Sequence, residues 1–424
     1  MNQRRILNFT VIVGALGYFV DIYDLVLFGV VRKTSLTSMG IAAVDQLSIG
    51  VFLLNMQMFG MLLGGLIWGI LGDRRGRVSV LFGSILLYSV ANIANGYIVP
   101  LSQHFSAIFS PIQLYGWLRL IAGIGLAGEL GAAVTLVSEA MTKESRGYGT
   151  AIVAGVGLFG AVFANLISRR FDWQMAYIIG GVFGFLLLIL RISLLESNMF
   201  AHMKTKTDIR RGDFFMLFRS RERLLKYISC ILIGVPIWFV VGVLVTFSPE
   251  IMKELGVADP INAGNAIMYT YIGLVFGDLA SGFLSQWIKS RKKVVFGFIL
   301  LTIASSIFDL FSHDLSPEDF YHLCLVLGFA TGYWAVFVTI GSEQFGTNLR
   351  ATVTTTVPNF VRGSVVPLTF SFKYLSVHMG LVPAALTVGA VVFTIAVVAL
   401  FQLKETYGKD LDYVELERNA TSTC

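Results

Sequence analysis

The chain has 424 residues, 55% of them hydrophobic and only 14% charged, against about 25% charged in an ordinary soluble domain. So many apolar side chains cannot be enclosed in soluble cores without charged surface that the sequence lacks, which excludes a soluble multidomain enzyme. The net charge of +6 has the sign that basic loops give a membrane protein, and with no soluble domain to carry a basic face, no nucleic-acid partner is expected.

A mean hydropathy of +0.75 with 43 Gly and 9 Pro predicts an all-α membrane protein, because small residues let helices approach closely and Pro is tolerated within spans. Twelve apolar tracts of about 20 residues, the length that crosses a bilayer, follow in chain order. Six are expected over 6–31, 47–71, 78–99, 113–138, 148–167 and 175–195. The first follows the basic Arg4 and Arg5 and reads as a retained span, since its apolar run outlasts the core of a cleaved signal. Six more are expected over 227–247, 262–288, 294–311, 321–341, 351–374 and 382–403. Continuous apolar runs, without polar–apolar alternation, argue against a membrane β-barrel.

One long polar connector divides the spans six and six. The expected organisation is an N-terminal six-helix bundle over 1–196, a cytoplasmic linker over 197–226, a C-terminal six-helix bundle over 227–403 and a cytoplasmic tail over 404–424. A repeat follows the division: Ser138, Glu139 and Arg146 after the fourth span match Ser342, Glu343 and Arg350 after the tenth, with identical spacing. Two pseudo-symmetric bundles suit a rocking mechanism with a site between them near the midplane. If both termini are cytoplasmic, that side receives most of the 32 Lys and Arg residues, as the positive-inside rule requires. Cys230 and Cys324 lie in apolar tracts and Cys424 ends the chain, so neither a disulfide nor a metal framework is expected.

The loop between spans two and three reads Gly69-Ile-Leu-Gly72-Asp73-Arg74-Arg75-Gly76-Arg77. It resembles the signature G-x-L-x-D-R-x-G-R of the major facilitator superfamily at every defined position. Gly69 would permit close helix contact, Asp73 could sit at a facing helix N-terminus, and Arg74 and Arg77 would supply partner charges, so the loop is expected to gate. The fourth span, Arg119-Leu-Ile-Ala-Gly123-Ile-Gly125-Leu-Ala-Gly128-Glu129, and the first, Gly17-Tyr18-Phe19-Val20-Asp21-Ile22-Tyr23-Asp24, together resemble the metabolite:proton symporter branch. The tail Glu405-Thr406-Tyr407-Gly408-Lys409 resembles the sugar-porter ending without its Pro. The resemblance implies the twelve-helix major facilitator fold.

Ionisable groups within spans default to function or internal pairing. Asp24 and Arg119 should both lie about 10 Å below the surface opposite the termini, at 1.5 Å per residue, and are expected to meet. An arginine beside a carboxylate keeps it ionised, whereas burial without that partner favours the proton, so the pair could couple proton uptake to conformation. The resemblance assigns the corresponding pair to coupling. Asp21, three residues from Asp24, is the second candidate acid. Arg362, about 17 Å deep, is the candidate to dock a substrate carboxylate. Asn55, Gln57, Asn165 and Asn359 are weaker substrate candidates that could equally bridge helices, as is Trp334, which resembles a sugar-porter tryptophan at a different distance from Glu343. Glu129 is split between gating and a helix contact, and Asp278 is expected to bond the helix carrying Arg362. Glu139 with Arg146, and Glu343 with Arg350, are expected to gate as salt bridges at the cytoplasmic mouth.

The expected function is proton-coupled import of a small polar metabolite, an organic acid or amino acid, by a monomer in a bacterial inner membrane, with the proton gradient as energy source and no cofactor. Drug or metabolite export by antiport is one alternative, and a non-transporting receptor or scaffold another. The sequence has no P-loop, nucleophile elbow or metal cluster, so no enzymatic activity is expected.

Overall fold

The computed structural model describes residues 3–75, 77–106, 108–129, 146–196 and 214–408. Among these residues every regular element is helical, and the helices line up as twelve rods. Spans 1 and 2 are Gln3–Ser38 and Gln46–Arg75. Span 3 is Arg77–Gly96 continued by Ile98–His104 after a bend of 83°. Span 4 is described over Pro111–Leu126 and on to Glu129, and spans 5 and 6 are Arg146–Arg170 and Trp173–Glu196.

In the second half three spans are broken. Span 7 runs through Arg221–Leu232, Val235–Phe239, a π-helical turn at Val240–Val245 and Ser248–Glu254. Span 10 is Pro317–Ala330 and Trp334–Glu343, and span 11 is Thr347–Gly363 and Val365–Met379. Spans 8, 9 and 12 are Ala263–Trp287, Arg291–Phe311 and Leu381–Gln402. Among the described residues eight helices are each long and apolar enough to cross a bilayer, nine when the bent third span counts as one. The eleventh misses that measure because its first segment is rich in Thr and it breaks at Ser364.

Helix starts follow capping chemistry. Ser110, with Pro111 in the first turn, forms a capping box with Gln113, and Asn262, Ser290 and Ser316 each accept from the backbone N–H three residues on, satisfying a donor the helix leaves open. Within the described residues, which leave out the expected end of span 4 at Ser138, the expected limits hold to a few residues, with two consequential differences. Span 1 continues past Val31 to Ser38, which takes Arg32 out of a loop and into the protein. Span 7 begins at Arg221, so the end of the expected linker is helical, while its part over 197–213 lies outside the described residues.

Each half pairs its spans alike: 1 with 5, 2 with 4 and 3 with 6, then 7 with 11, 8 with 10 and 9 with 12. The close pairs rest on glycine. A Cβ on Gly123 of span 4 would strike the Gln57 carbonyl oxygen of span 2, and one on Gly277 of span 8 the Phe329 carbonyl oxygen of span 10. Packing this tight is what association within lipid, without hydrophobic gain, demands. Spans 1, 2 and 5 then face spans 7, 8 and 11, while Phe283, Trp287, Phe308 and Phe370 are exposed around the outside, where acyl chains solvate them. Below, the face carrying the chain ends is the terminal face and the other the opposite face.

Candidate functional site

Buried charge gathers where the halves meet. Arg362, beside the break of span 11, donates from Nη2 to Asp21 Oδ2 on span 1 at 3.2 Å, and both side chains are inaccessible to solvent. The guanidinium lies 5.8 Å from the ring of Trp334, which opens the second segment of span 10. That segment is held in place by Asp278 of span 8, whose Oδ1 accepts from the Ala335 N–H at 3.1 Å. Asp278 therefore bonds span 10, not the helix carrying Arg362 as expected. Tyr18 on span 1 and Tyr271 on span 8 face the same ion pair. Arg362 Nε and Nη1 and Asp21 Oδ1 are buried with no hydrogen-bond partner. The centre thus holds one charge of each sign, spare donors, and a wall of aromatic rings.

The two aspartates of span 1 diverge. Asp21 points into the interface, whereas Asp24 points into the first bundle, against the backbone of Gly180 on span 6. The expected ion pair between Asp24 and Arg119 is not formed: both Asp24 oxygens are buried and unbonded. Arg119 donates instead to Gln57 Oε1, and its guanidinium lies 5.5 Å from Phe28 and 5.4 Å from Tyr177. The Gln57 amide nitrogen in turn donates to the Leu25 carbonyl at 3.2 Å. Of the two roles open to Gln57, substrate contact and helix bridging, the structure shows the bridge: it joins span 2 to Leu25 of span 1 and Arg119 of span 4.

The remaining candidates are spread along the interface. Asn165 donates to Asn265 of span 8 at 3.1 Å, and Arg169 bonds the same oxygen. Asn55 accepts from Thr369 Oγ1 at 2.6 Å. Asn359 donates to the Ala127 carbonyl at 2.9 Å, leaving its Oδ1 buried and unbonded. These asparagines bridge the halves. A Cβ on Gly69 would lie an ordinary 3.7 Å from Thr356 Cγ2; the close approach is one turn earlier, where a Cβ on Gly65 would lie 2.9 Å from Asn359 Cβ. Glu129 pairs with Arg191 of span 6, which makes it an intrabundle contact. Glu343 is held by Arg291 of span 9 at 2.6 and 2.9 Å, not by Arg350, whose guanidinium donates to the carbonyls of Ser342 and Phe345. Glu139 and the side chains of Asp73, Arg74, Arg77 and Arg146 lie outside the described residues.

Two pairs were missed. Glu129 and Arg191 each stand eighteen residues after the first residue of helices that run the same way, so matching their heights would have found them. Arg32 was read as a loop residue. It sits wholly buried, bonded bidentately to Glu250 of span 7 at 2.9 and 2.7 Å and to the Thr246 carbonyl at 3.2 Å.

Twelve spans in two like bundles, with buried charges at the joint, are the layout of a membrane transporter, and the chain belongs to the Major Facilitator Superfamily, whose family model matches residues 6–368. It is a transporter and not an enzyme. A Haemophilus influenzae protein, named provisionally as a metabolite transport protein, is 26% identical over 94% of this chain and 96% of its own. The gentisate transporter of Corynebacterium glutamicum is 23% identical over 94% and 88%. Among solved structures, a D-xylose-proton symporter matches with a TM-score of 0.67 and 17% identity, over 95% of this chain and 99% of that one, a likeness of fold.

Proposed function

We propose that this protein imports a small organic acid together with a proton, by alternating access of the two bundles, in a bacterial inner membrane. The observation that carries the reading is Arg362: a buried cation held by a single hydrogen bond to Asp21, with Nε and Nη1 unbonded beside Trp334. A substrate carboxylate takes those donors in charge-assisted hydrogen bonds, and Trp334, Tyr18 and Tyr271 favour a flat, conjugated body. Of the two substrate classes expected from the residues, the organic acid has a counterpart in a relative, the gentisate transporter.

Asp24 is the coupling acid. A carboxyl with both oxygens buried and unbonded suits the neutral form, and Arg119 in the same bundle suits the ionised one. The proton gradient supplies the energy and no cofactor is needed. The terminal face is cytoplasmic, following the bias of Lys and Arg. On that reading Arg32–Glu250 and Arg169–Asn265 close the outer side, and the loop of Asp73, Arg74 and Arg77 with Glu139, Arg146, Glu343 and Arg350 lies on the cytoplasmic side, where it gates.

The test is uptake into proteoliposomes of labelled gentisate and a panel of aromatic and aliphatic acids, with and without an alkaline interior. Accumulation of an acid that requires the gradient, and is lost in D24N while exchange persists, is the expected result. Uptake indifferent to the gradient, or expulsion of cations against protons, would overturn it.

A further inference from the structure

Gln57 is the least expected partner in the first bundle. It lies on span 2, fully buried, with its amide engaged at both ends: Nε2 donates to the Leu25 carbonyl at 3.2 Å and Oε1 accepts from Arg119 Nη2. Leu25 directly follows Asp24, so the first bond fixes the amide beside the acid and dictates that its oxygen, not its nitrogen, meets Arg119. An amide is a weaker partner for a buried guanidinium than a carboxylate, since it brings no charge. Yet a free carboxyl stands nearby with both oxygens unbonded, and Arg119 has Nε and Nη1 unbonded as well. An ionised Asp24 would draw those donors to itself. The arrangement suits a protonated Asp24, with the Asn92 side chain close by, and for that form the amide is the better acceptor.

We propose that Gln57 is a positioning residue that holds Arg119 while Asp24 carries its proton and yields it when Asp24 releases the proton. The inference rests on the reading of Asp24 as the coupling acid. The step balances simply: the O–H bond of the Asp24 carboxyl breaks, the proton passes to water from the open side, and the Arg119 N–H groups turn from the Gln57 oxygen to the new carboxylate, leaving net charge in the bundle lower by one. The groups that face Asp24 are Arg119 from span 4, Asn92 and Tyr88 from span 3, Tyr177 from span 6, and Asp21 and Tyr23 from its own helix. Arg119 is the cation among them, so its position governs the proton. Phe28 and Tyr177 flank the guanidinium and give it a track between two acceptors instead of a second ion pair.

The measurement is infrared difference spectroscopy of the full-length protein in liposomes, without substrate, over a pH series. The protonated-carboxyl C=O band of Asp24 is assigned by its loss in D24N. In Gln57→Leu, Arg119 has no alternative acceptor and stays with Asp24, so the band's midpoint moves to lower pH by about one unit. In Gln57→Glu a carboxylate captures Arg119 and adds a negative charge, so the midpoint moves up by a similar amount. Gln57→Asn, which draws the amide back by one methylene, repeats the Leu shift at smaller size and serves where the larger changes impair folding. Opposite shifts for the two charge types support the inference, because mere loosening of the bundle moves every variant the same way. Midpoints that stay fixed, or that all move together, overturn it. If D24N leaves the band intact, Asp24 does not titrate and the coupling reading itself fails. A titrating Asp24 indifferent to Gln57 removes the present inference alone.

Discussion

Arg32, Arg119 and Arg362 are among the largest side chains buried without solvent contact, and their partners differ in strength. Arg32 has a full carboxylate and a carbonyl, Arg362 a single bond to Asp21, and Arg119 only an amide. A buried cation with two unbonded nitrogens remains available to something that arrives, which separates Arg362 and Arg119 from Arg32 and Arg191, where only Nε is unbonded. Replacing Arg362 by Lys keeps the charge but loses the planar fork. R362K should therefore raise KM for the acid proposed as substrate about tenfold or more, given ~1.5–3 kcal/mol for a charge-assisted hydrogen bond, with less effect on expression of the protein; concentration-dependent uptake reads this directly. Glu129 and Arg191 form the contrasting case, nearly or wholly buried and joined by two hydrogen bonds. E129Q strands a buried guanidinium, which costs about 3–5 kcal/mol and should appear as a large fall in detergent melting temperature. Removing both charges in E129Q/R191M should restore much of it. The sequence made the depth of each of these residues legible, because a helix rises a fixed distance per residue. It did not disclose azimuth, so Asp24 and Arg119 were placed at one height without showing that Gln57 would meet the arginine first.

Helix breaks are where the elements escaped the sequence. Span 7 reads as one apolar run, yet it loses its regular ladder at Gly234, widens to a π turn over Val240–Val245, and restarts at Ser248. Hydropathy is blind to this because every residue of the turn is apolar; Pro236 and Pro249 marked the restarts but not the widening. Span 10 breaks before Trp334, and there the controlling residue lies on another helix: Asp278 Oδ1 caps the new segment at Ala335 N–H. D278N keeps an acceptor and should leave uptake nearly intact. D278A leaves that N–H buried and unbonded, displacing Trp334 from Arg362, and should lower both melting temperature and affinity for the acid. At the terminal face Glu405 performs the same service for span 9, accepting from Ser290 Oγ and from the N–H groups of Arg291, Lys292, Thr406 and Tyr407. Burial by itself would raise its carboxyl, but the hydrogen bonds from Ser290, Tyr407, Arg291 and Thr406 prevail and hold it below the ordinary 4.5. The native state therefore prefers the carboxylate. Its contribution is complete above the ordinary range and disappears as pH falls through the lowered value, so the melting temperature of the protein in detergent should fall on that acid side. E405Q should show that fall already at neutral pH.

At the scale of the whole molecule, the twofold layout was readable from the repeated Ser-Glu-Arg pattern and the signature loop, while the contacts that hold the halves together were not, because they join residues far apart in sequence. The strongest of these described contacts sits on the opposite face. Arg32 crosses from span 1, past Gly50, whose missing Cβ leaves room for the Arg32 Cδ, to Glu250 in the restarted segment of span 7. The Thr246 carbonyl, beside the π turn, accepts from the same guanidinium at 3.2 Å, and the Phe247 ring lies 4.7 Å from it. The broken stretch of span 7 is thus tied to the other half at the place where its own hydrogen bonding is weakest. On the proposed alternating access, these contacts exist only while that face is closed and bias the equilibrium between states by their own free energy. Removing them should favour the state open on that face. Lys33 Nζ lies 3.7 Å from Glu250 Oε1, so R32Q leaves a substitute cation, whereas E250Q strips both. Met268 of span 8, whose sulfur meets Asn165 across the interface at 3.3 Å, is the natural reporter. Maleimide labelling of M268C should accelerate about tenfold or more in E250Q, given ~1.5–3 kcal/mol for bonds to a charged group, less in R32Q, and return toward the starting rate in the exchanged pair R32E/E250R. Equal rates in all three would mean that the asparagine bridges, and not this pair, set the balance between the two open states.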